Sequence, residues 1–161
     1  MHAYRSQRRC GAEAFLFLFV LFGGAISPKF ALAAGALAVG LPADVAKGGF
    51  TYGYSNGNDT SDAASERALK ACRTTKDAAK NERLRSLCKV IQLYSDKCVA
   101  VAMDPLAGTP GVGWAVADDR RAAEKQALSQ CEKTAGPGRA AACVVDHSGC
   151  DGTAQDTTPP K

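Results

Sequence analysis

Two rhythms of apolar and polar positions run along this chain, and each returns once. From Gly35, "GALAVG" is a short apolar run, "LPADVAKGG" is rich in turn residues, and "FTYGYS" alternates aromatic with small or polar side chains. Together they predict a hairpin-like pair of strands. "NGNDTSD" then supplies turn and cap residues. In "AASERALKAC", Ala64, Ala68, Leu69 and Cys72 recur at the spacing of a helix with one apolar stripe. A charged stretch, "RTTKDAAKNERLRS", leads to "LCKVIQLYS", a strand by its Val90, Ile91 and Tyr94 content.

From Cys98 the order repeats. "CVAVAMD" reads as a strand, "PLAGTPG" as a turn and "VGWAVA" as a second strand. "DDRRAAEKQALSQC" reads as a helix capped by Asp118 or Asp119, and "ACVVDHSGC" as a third strand. Pairing Gly53 with Gly113, Cys72 with Cys131, Cys88 with Cys143 and Cys98 with Cys150 gives offsets of 60, 59, 55 and 52, so the drift falls in loops. The pattern is that of an internal repeat, with repeat one at about 34–96 and repeat two at about 97–150.

The helix stripes, Ala64, Ala68, Leu69, Cys72 and Ala123, Ala127, Leu128, Cys131, are mostly small, which lets a helix lie close to a sheet. One strand-strand-helix-strand unit is too small to bury a sufficient core by itself. The expected fold is therefore α+β, with two such repeats forming an antiparallel-rich sheet, two helices packed on one face, and disulfide bracing. In the charged insertion, "KDAAKNERLRSL" allows an extra helix with Leu84 and Leu87 turned inward.

The chain begins differently. "MHAYRSQRR" is basic and "AFLFLFVLFGGAI" is an uncharged apolar run of 13 residues, shorter than the roughly 20 that span a bilayer. With the small residues of "FALAA" behind it, this predicts a signal peptide over 1–33, cleaved after Ala33, and no transmembrane anchor thereafter. Arg8 and Arg9 lack the following apolar pair of a twin-arginine signal, and Cys10 precedes the apolar run where a lipidated cysteine would follow it. Cleavage takes the formal charge from +4 to +1, which argues against a nucleic-acid partner. The end, 151–161, has no apolar anchor and is expected to be disordered.

Cysteine usage follows from export. Cys72, Cys88, Cys98, Cys131, Cys143 and Cys150 remain, an even number that reads as three disulfides in an oxidising compartment. Six cysteines allow 15 pairings, and exchange symmetry between the repeats removes more than half. Among the survivors the preferred set joins Cys72 with Cys88 and Cys131 with Cys143, each clamping a helix end to the next strand, and Cys98 with Cys150, tying one repeat to the other.

The succession "GALAVG", "YGYS", "ERALKAC", "LCKVI", "CVAVA", then "GVGWAVA", "QALSQC" and "ACVV" resembles the bacterial exported family catalogued as domain of unknown function 4189, over roughly Gly35 to Cys150. The resemblance implies a small secreted or periplasmic domain and carries over no catalytic residues. The chain departs from that family's pattern in lacking a tryptophan near the first strand and in its long charged insertion between Cys72 and Cys88.

Candidate chemistry is sparse. "DHSGC" holds the residue types of a hydrolase triad, yet consecutive strand residues point to alternate faces and cannot form the relay. Cys143, His147 and Cys150 are metal-ligand types, but the other repeat has no histidine between Cys88 and Cys98, which favours disulfides over zinc. "SNGNDTSD", counted from Asn56, has Ser61 at the sixth place and Arg67 at the twelfth where a calcium loop has glycine and glutamate, and its Asn58 acceptor pattern for glycans is taken as coincidence. Tyr52, Tyr54 and Trp114 lie on corresponding strands, either as a flat binding platform or packed under the helices. The insertion's Lys76, Lys80, Arg83, Arg85 and Lys89 form a solvated face or meet an anionic partner.

No cofactor or metal is expected, and a catalytic role is less expected than none. The expected role is an exported, disulfide-stabilised binding or structural module, periplasmic or secreted, whose partner is an envelope protein or glycan. The alternatives are an inhibitor or immunity-type protein against an envelope-active enzyme and, more remotely, a hydrolase using His147.

Overall fold

The computed structural model describes residues 34–154. The expected leader over 1–33 and residues 155–161 of the expected tail lie outside the described residues. The first half comprises β1 (Ala34–Gly40), a one-turn helix α1 (Val45–Gly48), β2 (Thr51–Asn58), α2 (Ser61–Thr74), two short helices α3 (Lys76–Lys80) and α4 (Glu82–Ser86), and β3 (Lys89–Tyr94). The second comprises β4 (Cys98–Met103), β5 (Val112–Ala117), α5 (Arg120–Ala135), a 3₁₀ turn at Ala140–Ala142, and β6 (Val144–Cys150). None of the described helices is long and apolar enough to cross a membrane.

The α+β class, the strand-strand-helix-strand order in both halves and the antiparallel pairing are as the sequence predicts. The single sheet is not. The strands form two three-stranded sheets, ordered β2-β1-β3 and β5-β4-β6. Each sheet carries its own helix on its outer face, and the inner faces stack on one another.

The central strands explain this arrangement. In β1, Ala36 and Ala38 pack with Ala64, Ala68 and Cys72 of α2, while Leu37 and Val39 turn the other way. In β4, Cys98, Ala100 and Ala102 pack with Ala123, Ala127 and Cys131 of α5, while Val99 and Val101 turn away to meet Leu37 and Val39. A shared sheet with both helices on one face would leave those four larger side chains in water. Stacking the sheets buries them, and at about 1.5–3 kcal/mol for each such side chain the stacked form gains on the order of 10 kcal/mol. Between the halves only Ser95, Asp96 and Lys97 separate β3 from β4, with Asp96 at φ 52° where the chain reverses into the second sheet.

The recurrent glycine has a steric cause. A Cβ on Gly53 would lie 2.2 Å from the backbone N of Cys72 and 2.4 Å from the carbonyl O of Ala68. On Gly113 it would lie 2.2 Å from the carbonyl O of Ala127 and 2.5 Å from the N of Cys131. Each helix backbone thus rests directly on its sheet. Helix entry is fixed in the same way twice, by Thr60 Oγ1 accepting from Ala63 N at 3.2 Å and by Asp119 Oδ1 accepting from Ala122 N at 2.8 Å. Asp118, the other candidate cap, instead pairs with Lys97.

The insertion forms two short helices where one was expected. Asn81 leaves helical geometry (φ −126°, ψ 96°) and its Oδ1 caps α4 by accepting from Leu84 N at 3.1 Å. Leu84 is buried and Leu87 half-buried.

The disulfides are Cys72–Cys88, Cys98–Cys150 and Cys131–Cys143. All three pairings are as expected, but the role expected of Cys98–Cys150 is corrected: Cys98 opens β4 and pairs directly across from Cys150 of β6, so this bridge lies wholly inside the second half and does not tie one repeat to the other. By register Cys98 corresponds to Ala34 of β1, which is why the first half has no counterpart. No cystine joins the two sheets. They are held by the inner core and by the chain after β6, which was expected to be disordered from 151. Asp151 is 1% exposed, its Oδ1 accepts from Gly57 N at 2.6 Å, and Thr153 N and Oγ1 both donate to Asp96 Oδ1 at 2.8 Å.

Candidate binding cleft

Strand alternation in β2 sets the first side of the site. Thr51, Gly53 and Ser55 are buried against α2, which sends Tyr52 and Tyr54 to the seam between the sheets. A bulge in β6 sets the second side. Val101 pairs with His147 and Ala102 with Val145, leaving Asp146 as an extra residue.

The bulge overturns the expectation that Asp146 and His147 point to opposite faces, because both meet β2. Tyr52 Oη donates to Asp146 Oδ2, and Tyr54 Oη is hydrogen-bonded to His147 Nε2, their ring centroids 4.7 Å apart. Ser148 is turned to the other face, where its Oγ donates to Glu124 Oε1 at 2.6 Å and accepts from Arg120 Nη1 at 2.8 Å. The three neighbouring triad residue types therefore do not converge.

Phenol acidity reflects the setting. Burial, and then the hydrogen bond to and charge of Asp146, push the Tyr52 phenol well above its ordinary value. Burial also raises Tyr54, partly opposed by the charge of Arg120. Both phenols stay neutral across the physiological range.

Phe50 and Trp114 complete the aromatic rim. Phe50 stacks on Tyr52 with centroids 6.0 Å apart and on Trp114 at 6.1 Å with planes 10° apart. Tyr52, Tyr54 and Trp114 thus form neither a flat exposed platform nor a layer beneath the helices. They sit half-buried along the seam. Beside them an open cleft of about 440 Å³ is lined by Phe50, Tyr52, Tyr54, Met103, Asp77 and Asp146 among others. Phe50 was missed although it stands two residues before Tyr52, in phase with it. Asp77 and Met103 carry no local signal, since only the packing of α3 and the end of β4 brings them here.

The same bulge occurs in the first half, where Leu37 pairs with Gln92 and Ala38 with Val90 around the extra Ile91. Register then matches Ile91 with Asp146, Gln92 with His147 and Val112 with Tyr52. One scaffold thus carries Ile91, Gln92 and Val112 at one end of the seam and a carboxylate, an imidazole and a phenol at the other.

Other sequence candidates resolve plainly. Among the described residues no group of three or more His, Cys, Asp or Glu side chains is placed to hold a metal ion. Cys143 and Cys150 are each in a disulfide. Asn58 is buried, its Nδ2 donating to Ala34 O at 2.8 Å and Ser55 Oγ at 2.7 Å, so the acceptor pattern around it is closed to a modifying enzyme.

No curated protein and no solved structure matches the chain. Residues 34–150, nearly the whole of the described domain, match the family described as Domain of unknown function (DUF4189). With its paired glycine-bearing strands, alanine helices ending in cystine and twofold element order, the chain belongs to that family.

Proposed function

We propose that this protein is a binding module of the bacterial envelope or exterior, taking its ligand in the aromatic, acid-lined cleft at the polar end of the seam. One observation carries the reading: the two halves share a scaffold and bulge, yet Ile91, Gln92 and Val112 in one place answer to Asp146, His147 and Tyr52 in the other. The fold needs an apolar seam, and Ile91 with Val112 satisfies it. The carboxylate and the phenol, which stand where the other half has Ile91 and Val112, are extra. Three disulfides and the expected leader support a periplasmic or secreted setting. The partner is an envelope protein or glycan. Immobilised protein is expected to retain an envelope component that Tyr52→Ala or Asp146→Asn protein does not retain. Equal retention by all three would remove the cleft from the interaction.

The loop after β4 favours a second reading, an inhibitor or immunity-type protein. Leu106 is 56% exposed at the tip of a short loop that is pinned on both sides. Asp104 N donates to Gly111 O at 2.9 Å, Asp104 Oδ1 accepts from Leu106 N at 3.0 Å, and Arg139 grips both carboxylate oxygens of Asp104 at 2.6 and 2.7 Å. A rigid loop with an apolar tip loses little ordering entropy on binding. Capture of one enzyme at a one-to-one ratio, abolished by Leu106→Asp and indifferent to Asp146→Asn, would select this reading over the first.

A further inference from the structure

The lining of the cleft points to the charge of its occupant. We infer that it binds an organic cation of side-chain size, a guanidinium or an ammonium group, presented either by a small molecule or by an arginine or lysine side chain. This rests on the reading of the cleft as the binding site and adds the class of ligand.

Three observations converge. Among the described residues the walls hold two carboxylates, Asp77 and Asp146, and no lysine or arginine. This absence is notable in a chain with a positive formal charge, where α3 and α4 place Lys76, Lys80, Arg83 and Arg85 within a few residues of Asp77. The carboxylates stand among Phe50, Tyr52 and Tyr54, and aromatic rings attract cations through their negative faces. Met103 adds a polarizable sulfur to the same wall.

The cation whose field reaches Tyr54 stands outside the lining of the cleft. Arg120, whose field reaches Tyr54, donates its Nη1 to Ser148 O at 3.0 Å and Ser148 Oγ at 2.8 Å on the outer face of β6. Asp146 uses Oδ2 to accept from Tyr52, and a carboxylate has a second oxygen with which to receive a charged donor. The hydrogen bond from Tyr52 fixes that carboxylate, so little ordering remains to be done on binding.

The corresponding place in the other half is a control supplied by the fold. There an open hollow is lined by Leu41, Pro42, Val45, Pro110, Val112 and Trp114 among others, with Asp44 as its one charged residue among those described. It shares the aromatic and apolar character and has one carboxylate where the cleft has two among the described residues. A cation is expected to discriminate between the two ends, and a neutral ring is not.

The volume suits a side chain or a small amine and is at the lower end of ordinary ligand pockets. A neutral sugar would find the aromatic rings and donate its hydroxyls to the carboxylates, but a charged donor makes the stronger hydrogen bond to a carboxylate.

The test uses the folded, oxidised chain after leader removal, with binding followed by calorimetry at low ionic strength. Methylguanidinium and tetramethylammonium probe the free cation. An acetylated and amidated Gly-Arg-Gly peptide probes the side chain, and the same peptide with citrulline replaces the charge by a neutral group of equal shape. A chitin oligosaccharide probes neutral glycan. The expected result is binding of the cations or of the arginine peptide, at least tenfold weaker for citrulline and at least tenfold weaker with Asp77→Asn/Asp146→Asn, both exposed positions. Preference for the free cations over the arginine peptide would identify a small-molecule source, and the reverse a protein source. Binding of the oligosaccharide without the cations, lost with Tyr52→Ala, would overturn the inference while leaving the cleft as the binding site. Equal binding of arginine and citrulline peptides, or no response to any cation at tens of millimolar, would also overturn it. Envelope retention by the wild type but not Asp146→Asn then decides separately whether the cleft itself binds.

Discussion

Gly113→Ala adds one methyl group where α5 lies on β5. The new Cβ would meet the carbonyl O of Ala127 at 2.2 Å, the N of Cys131 at 2.5 Å and the Cβ of Gln130 at 2.7 Å. The first two are helix backbone and cannot rotate aside. To restore ordinary contact the helix must withdraw by about 1 Å, which loosens the close-packed layer of Ala123, Ala127 and Cys131 against Ala100 and Ala115. Withdrawal is resisted at that point because Cys131 is bonded to Cys143. Overpacking against movable side chains costs roughly 1–3 kcal/mol, and a backbone obstacle places this change at or above the upper end, about 3 kcal/mol. For a domain of this size that corresponds to a fall in Tm of roughly 10–15 °C. Gly53→Ala is expected to match it, with Cys72 N at 2.2 Å. Gly138→Ala is the control, since nothing lies within 4 Å of its Cβ. Denaturant unfolding under non-reducing conditions, followed by circular dichroism, measures all three. If Gly113→Ala unfolds within about 0.5 kcal/mol of the parent, the helix does not rest on the strand and the account of the repeat is wrong.

Further outcomes follow from the same geometry. Replacing Cys98 and Cys150 by alanine opens the largest loop, a separation of 52 residues against 16 and 12 for the others, and should cost about 4 kcal/mol where each shorter bridge costs about 3; a smaller loss than for Cys131–Cys143 in parallel melts would contradict the loop-entropy ranking. Arg139, chiefly through its hydrogen bonds, holds the Asp104 carboxyl down to about 2. Because the folded value lies below the unfolded one of about 3.9, the stabilisation is complete above pH 4 and is lost as pH falls towards 2. Acid titrations of stability should show that extra loss in the parent and a flatter limb in Arg139→Gln, and identical limbs would refute the assignment. In a spectrophotometric alkaline titration Tyr52 should ionise well after an ordinary tyrosine, and Asp146→Asn should bring it down while leaving Tyr94, raised chiefly by its own burial, where it was. A Tyr52 transition unmoved by that substitution would place the carboxylate elsewhere.

The candidate site was only half legible before the fold was known. Tyr52 and Tyr54 share a face by simple alternation, and their common direction holds. What lies opposite them does not follow from "TYGYS". His147 was judged from the rule that consecutive strand residues diverge, and the rule fails at the one place where β6 carries an extra residue. Nothing in "VVDHSG" announces the bulge, because it is set by pairing with Val101 and Ala102, more than forty positions away. Asp77 reads as one of two acids in a basic stretch until α3 brings it into the lining of the same cleft as Asp146.

The sequence by itself determined the local order: which stretches become strands and helices, that each helix has an alanine stripe, that glycine recurs beneath it, and that the cysteines are paired. These are short-range properties, written in spacing and side-chain volume. The tertiary structure alone decided how the units meet. "GALAVG" and "CVAVAM" state that both faces of a strand are apolar, with small residues on one and larger on the other. They do not state what covers each face. Strand hydrogen bonds join distant segments whose backbone groups are chemically alike, so the division into two stacked sheets, the bulges, and the enclosure of Cys98–Cys150 within one half came from the burial of Leu37, Val39, Val99 and Val101 against each other.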